Sequence, residues 1–412
     1  MIDRLLSRDE LGYVLLLFVL FVIPRVLQRL GLPTALTSFG IGAAAGLGLG
    51  WFVHDPTIQL LSTLGIVSLF LFAGLDIDLD ELRSQWRIIL QHVLVRLTAI
   101  ALVASAAGHV FRIDTVPAML VGLALITPST GFIIDSLGSL GLSDSERFWI
   151  RSKAVATELV ALGVLFVALQ SSSVPGLAIS AGVLVAMIVF LPLLFRAFAS
   201  IIVPHAPRSE FAFLIMVALV CASVTRTLGV YYLVGAFVVG MAADRFRDRL
   251  PAIASERMLH AVEAFASFFV PFYFFHAGLE LRHEDFQLSS LAIGGLLLAV
   301  VIPFRLGMVA VHRALTLREN VRSALRVGLP MLPNLVFGLV VVQILRERFN
   351  LPPPLLGALV VYTIGTTVIP KLIMGTPPPK YDDPAIPPLH AKGRAAEPYS
   401  DPEHRAPGGY ND

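Results

Sequence analysis

Charge is what this sequence has least of. Lysine, arginine, aspartate and glutamate together make up 15% of its 412 residues, whereas 56% are hydrophobic. Soluble domains carry about 25% charged residues, so this chain cannot build an ordinary water-exposed surface. A formal net charge of only +2 gives no electrostatic footprint for nucleic acid. The single cysteine, Cys221, excludes an intrachain disulfide and any cysteine-built metal centre. Also missing are a phosphate-cradling glycine loop, a metal-ligand histidine pair and a nucleophile–histidine arrangement, so nothing points to an enzyme or a resident cofactor. No small-residue cleavage site follows the first apolar run, which is therefore expected to remain as a span.

What the chain does have is long apolar runs and a mean hydropathy of +0.79. About thirteen helical spans are expected, near 10–30, 33–52, 58–76, 88–110, 115–137, 150–170, 176–203, 210–226, 228–243, 262–280, 291–315, 322–346 and 354–374. The odd-numbered connections then hold seventeen basic residues, from Arg25 and Arg29 through Lys153 to Arg313 and Arg326, against seven on the other side. That asymmetry places the N-terminus outside and the C-terminus in the cytoplasm. Residues 375–412 are rich in proline and charge, with little to bury, and are expected to form a disordered cytoplasmic tail.

A repeat is visible. LFLFAGLDIDLDEL (69–82) returns as FYFFHAGLELRHEDF (272–286), VLVRLTAIALVA (93–104) as IPFRLGMVAVH (302–312), and ITPSTGFII (126–134) as MLPNLVFGL (331–339). Partners keep their order and lie an odd number of spans apart, so the two copies run antiparallel. Such inverted repeats build many secondary transporters.

Few ionisable residues fall well inside spans: Glu158, Arg96, Arg305 and, less deeply, His276. A charge at a helix centre costs roughly 2.5–3.5 kcal/mol on insertion scales, so each needs a reason. Either arginine could extend along its stem to the interface. His276 reads as a packing residue, because its counterpart in the repeat is Phe72. Glu158 could be a structural ion-pair partner, or it could carry an ion. Two prolines favour the second reading. Pro128, flanked by Thr127, Ser129 and Thr130, and Pro333, flanked by Pro330 and Asn334, should each break a helix in mid-membrane. Freed backbone at that depth must line protein or water. Two half-helices beside a carboxylate make a cation site at the midplane.

These features resemble the monovalent cation:proton antiporters, in the branch that holds bacterial sodium/proton exchangers and glutathione-gated potassium-efflux antiporters. The resemblance runs from about residue 15 to residue 374. It is carried by RLGLPTALTSFGIGAAAGL, SLFLFAGLDIDLDELR, ALITPSTGFIIDSLGSLGL, LGVYYLVGAFVVGMAADR and VPFYFFHAGLEL. It implies an all-α antiporter fold of thirteen transmembrane helices with two broken, crossing helices, assembled as a homodimer in the bacterial inner membrane. A mobile core (about 88–170 and 291–374) would move against a dimerisation scaffold (about 10–76 and 176–280).

The resemblance also implies site roles. Thr157 and Glu158 match the family's paired positions in the sixth span, whose acid binds cation and proton in turn. Thr127, Ser129 and Thr130 match the polar crossover of the fifth span. Arg305 falls where some members place a basic partner for the acid. Two departures stand out: glutamate replaces the usual aspartate, and threonine replaces the first member of the pair. One extra methylene moves the charge by about 1.5 Å. The implied function is exchange of Na+ or K+ for H+ in pH homeostasis, electroneutral if one carboxylate serves both ions. A cation channel and a transport-inactive sensor are the alternatives.

Overall fold

The computed structural model describes residues 8–29, 32–75, 77, 86–129, 143–171, 173–206, 209–244, 256–318 and 320–374. Thr130 and the tail 375–412 lie outside the described residues.

Apart from short turns, these residues are helical: α1 (Arg8–Arg29), α2 (Thr34–Ala43, prolonged by a π turn, Ala44–Leu49), α3 (Pro56–Leu75), α4 (Trp86–Phe111), α5 (Thr115–Ile126), α6 (Asp144–Gln170), α7 (Val174–Ala197, prolonged by a π turn, Phe198–Ile202), α8 (Glu210–Thr227), α9 (Tyr232–Asp244), α10 (Glu256–Leu279), α11 (Leu288–Leu317), α12 (Val321–Gly328, followed by a 3-10 turn, Leu329–Met331), α13 (Leu335–Phe349) and α14 (Pro353–Met374). Among the described residues, nine helices are long and apolar enough to cross a bilayer. The bent pair α12–α13, whose halves meet at 55°, makes a tenth if it is counted as one span. Thr34–Leu49, Thr115–Ile126 and Tyr232–Ala243 are apolar but shorter. At a rise of about 1.5 Å per residue, the 12 residues of α5 reach only partway across a hydrocarbon core of about 30 Å.

The helix ends follow from local chemistry. Ser143 and Glu146 form a reciprocal capping box at the start of α6: the Glu146 amide donates to Ser143 Oγ at 3.3 Å, and the Ser143 amide donates to Glu146 Oε2 at 2.9 Å. Helix α5 stops at Thr127, whose ψ of 118° is extended, as expected of the residue before Pro128. Helix α12 tightens into its 3-10 turn and ends before Pro333, and α13 starts afresh after Asn334.

Two packed groups are evident. One contains α2, α3, α8, α9 and α10, with α1 against α2; the other contains α4, α5, α6 and α11–α14. Glycines bring the first group into backbone contact. A β-carbon at Gly74 would collide with the Phe237 carbonyl, and one at Gly240 with the Leu71 carbonyl, so α3 and α9 touch through bare backbone. Outside, α7 leaves most of its apolar surface exposed, with Val174 and Phe190 bare. That suits a hydrocarbon solvent rather than water.

One sequence expectation needs correction. Lys153 and Arg313, counted above as connection charges, belong to α6 and α11 and are only 2% and 1% exposed. Their long stems carry them inward from near the helix ends. Removing both leaves the basic asymmetry in place.

Candidate functional site

The two breaks, 127–129 and 332–334, lie against one another. Ser129 donates its amide to the Pro333 carbonyl at 2.7 Å, and its hydroxyl accepts the Val336 amide at 3.0 Å. The Asn334 side chain donates to the Ala124 carbonyl at 2.6 Å and accepts from the Thr366 hydroxyl, also at 2.6 Å. Proline-freed backbone groups on one helix are thus satisfied by the other, as buried polar groups must be. Thr127, Ser129 and Asn334 are all 4% exposed or less. The Thr127 hydroxyl is the exception: it is fully buried and has no hydrogen-bond partner. An orphaned oxygen at a chain break is a natural ligand for a small cation.

Both membrane arginines turn inward to these breaks. Arg96 on α4 donates to the Ile126 carbonyl at 2.5 Å and to Thr157 Oγ1 at 3.0 Å. Thr157 in turn donates to the Lys153 carbonyl one turn back. Arg305 on α11 donates to the Met331 carbonyl at 2.7 Å, to Tyr362 Oη at 3.1 Å and to the Leu125 carbonyl at 3.4 Å. Tyr362 donates to the same Leu125 carbonyl at 2.7 Å. Each guanidinium therefore binds the carbonyl two residues before a break proline, Ile126 before Pro128 and Met331 before Pro333. Glu158 follows Thr157 on α6 and is 6% exposed.

The structure thus gathers Thr127, Pro128, Ser129, Thr157, Arg305, Pro333 and Asn334 around the two breaks, and Glu158, the residue after Thr157, is buried. Sequence reasoning left Arg96 open and missed Tyr362 and Thr366. The repeat carried the signal for Arg96, since it stands opposite Arg305 there. Tyr362, Thr363, Thr366 and Thr367 form a polar run in an otherwise apolar span, which was the signal for the other two.

One turn further from the breaks, a basic cluster is buried. Lys153 Nζ lies 3.3 Å from His312 Nδ1 and 4.5 Å from the centre of the Trp149 ring. The Arg313 guanidinium stacks on the same ring at 4.6 Å, and the His92 and His312 rings meet edge to face at 5.0 Å. Nearer the helix start, Arg326 binds both carboxylate oxygens of Glu146 at 2.8 Å. Burial alone would raise the Glu146 carboxyl, but the bonds from Arg326 and Ser143 outweigh it and hold the group below its ordinary 4.5.

Among the described residues, membrane-length helices with the end of α5 bonded to the break between α12 and α13 fit a secondary transporter of the broken-helix kind. The chain belongs to the sodium/hydrogen exchanger family, whose transmembrane region matches residues 14–376. It is similar to the Na(+)/H(+) antiporter of Enterococcus hirae, 23% identical over 360 residues, covering 84% of this chain and 92% of that protein. It is also similar to the Na(+)/H(+)-K(+) antiporter GerN of Bacillus cereus, 23% identical over 266 residues, covering 62% of this chain and 67% of GerN. The sodium proton antiporter MjNhaP1 from Methanocaldococcus jannaschii shares the fold, with a TM-score of 0.65 at 13% identity over 88% of this chain and 95% of its own. These relatives are antiporters, and the chain is a multi-pass membrane transporter rather than an enzyme.

Proposed function

We propose that this protein exchanges one monovalent cation, Na+ or K+, for one proton, with Glu158 as the group for which the two compete. The observation that carries this reading is the junction of the end of α5 with the α12–α13 break through Ser129 and Pro333, to which Arg96 ties Thr157, the residue before the buried Glu158. A buried carboxylate holds a proton or a cation, but not both, because either one neutralises it. Thr127 and Thr157 would add neutral oxygens to the cation's shell. Arg96 and Arg305 hold the breaks in shape, and their fixed positive charge balances Glu158 when it is ionised and empty. One carboxylate alternating between one proton and one cation moves no net charge per cycle.

The same reading includes an inverted repeat of thirteen spans with the N-terminus outside, and a homodimer whose core moves against its scaffold. The matching bonds Arg96–Ile126 and Arg305–Met331 support the repeat, because they join corresponding positions of the two copies. The names of the relatives, one sodium-linked and one linked to both sodium and potassium, support the choice of cations.

Reconstitution into vesicles tests it. Imposed gradients of Na+, K+, Li+ and Rb+ should drive proton movement at a rate independent of membrane potential. A strong potential dependence overturns electroneutrality, and cation flux without counter-moving protons selects a channel instead.

A further inference from the structure

Helix α13 meets the start of α9 and helix α10 through polar side chains. Helix α9 reads YLVGAFVVGMAAD and α13 reads LVFGLVVVQILRERF, so polar side chains in both are few. Those present are linked. Tyr232 Oη donates to Tyr231 Oη at 3.2 Å, Tyr231 Oη donates to Gln343 Oε1 at 3.1 Å, and Gln343 Nε2 donates to Glu347 Oε1 at 3.0 Å. The two tyrosine rings stack at 4.3 Å. Every donor in the chain points towards the Glu347 carboxylate, an arrangement in which each bond polarises the next. Closer to the breaks, Tyr273 on α10 donates to the Val336 carbonyl at 3.4 Å, and the Val336 amide is held by Ser129. Exposure falls along the line, from exposed Glu347 through half-buried Gln343 to Tyr231 and Tyr273 at 6% and 3%.

Glu347 is oddly placed for a structural residue. It sits in the last turn of α13, where the helix dipole disfavours a carboxylate and favours a cation. The two arginines beside it are engaged elsewhere: Arg346 with Asp285 at 2.6 Å and Arg348 with the Gly229 carbonyl at 2.7 Å. The exposed carboxylate therefore offers oxygen to incoming cations; the Gln343 amide NH2 donates to it, and behind that amide lie Gln343 Oε1 and the Tyr231 and Tyr232 hydroxyls.

We propose that Glu347, Gln343, Tyr231 and Tyr232 form a transit subsite for the monovalent cation, on the route between the C-terminal end of α13 and the two breaks. The Tyr231–Gln343 bond is its gate, shut in this structure. The subsite deepens the exchange reading and rests on it. A cation arriving at Glu347 is drawn by its carboxylate; breaking Tyr231 from Gln343 frees Gln343 Oε1 and the Tyr231 hydroxyl oxygen to receive it.

Two readouts test this, one of them independent of transport. In vesicles of fixed orientation, Glu347→Gln should raise KM for Na+ on the α13 C-terminal side about fivefold and leave KM on the other side unchanged. In a Cys221→Ala background, a cysteine replacing Leu339, one turn from Gln343 towards the breaks, should react slowly with a membrane-impermeant thiol reagent. Adding Tyr231→Phe or Gln343→Leu should speed that reaction about fivefold, the factor that loss of one net hydrogen bond represents. Equal KM changes on both sides, or labelling unaltered by both gate variants, overturns the proposal. Faster labelling in a chain that performs no exchange keeps the gate and removes the exchange reading.

Discussion

Arg96 and Arg305 hold corresponding backbone carbonyls, those of Ile126 and Met331, at 2.5 and 2.7 Å. Each arginine lies on a long helix, α4 or α11, and closes the end of a helix that stops before a proline. The desolvation of two guanidinium groups is met by these carbonyls, so the positive charge serves backbone that has lost its helical partners. Replacing Arg96 with alanine removes donors from both Ile126 and Thr157. It should lower the thermal midpoint of the purified protein by an amount equivalent to about 1–3 kcal/mol, with lysine restoring only part of the loss because it lacks the planar fork. Thermal unfolding in detergent is the measurement.

Ser129 joins the breaks twice, through its amide and its hydroxyl. Ser129→Ala keeps the first bond and strands the partly buried Val336 amide, at a cost of about 1 kcal/mol. Exchange should slow along with the loss of stability, since the site is built on this junction. Ser129→Thr retains the hydroxyl and should recover most of the stability in the same assay.

Glu146 gives a pH signature away from the membrane interior. Its folded-state carboxyl lies below the ordinary 4.5, first against burial and then through Arg326 and Ser143. The stabilisation is therefore complete above about pH 4.5 and is lost as pH falls through the lower folded-state value. Arg326 is half exposed, so the pair contributes only about 1 kcal/mol after solvent screening. Glu146→Gln should remove this acid-side loss from a plot of thermal midpoint against pH, and the wild type should keep it.

The α3–α9 contact has no room for a side chain. Gly74→Leu should drive the two helices apart at a cost of about 1–3 kcal/mol, seen as loss of a monodisperse peak in size-exclusion chromatography. Gly163→Ala, at a position with open space around it, should leave the peak unchanged.

How much of this was legible in the sequence depends on which physical signal each feature leaves. The breaks at Pro128 and Pro333 announced themselves, because proline removes an amide wherever it falls. The inward turn of Arg96 did not. Helix α4 is apolar around most of its circumference, so periodicity does not say which face meets protein and which meets lipid. Lys153 and Arg313 misled for a related reason: residues near the ends of helices look like connection charges until their stems are seen folded inward on Trp149. Tyr362 and Thr366 matter only because α14 crosses beside the breaks, a relation between segments distant in sequence. Thr130 lies outside the described residues.

Glu158 bears the central claim, and proton flux in sealed vesicles measures it most directly. With the unaltered protein, an imposed Na+ or K+ gradient should move protons in the opposite direction. Glu158→Gln, folded and inserted as judged by its thermal midpoint, should show no flux above empty vesicles, because an amide neither releases a proton nor neutralises a cation. Undiminished cation-driven proton movement in that variant would contradict the account.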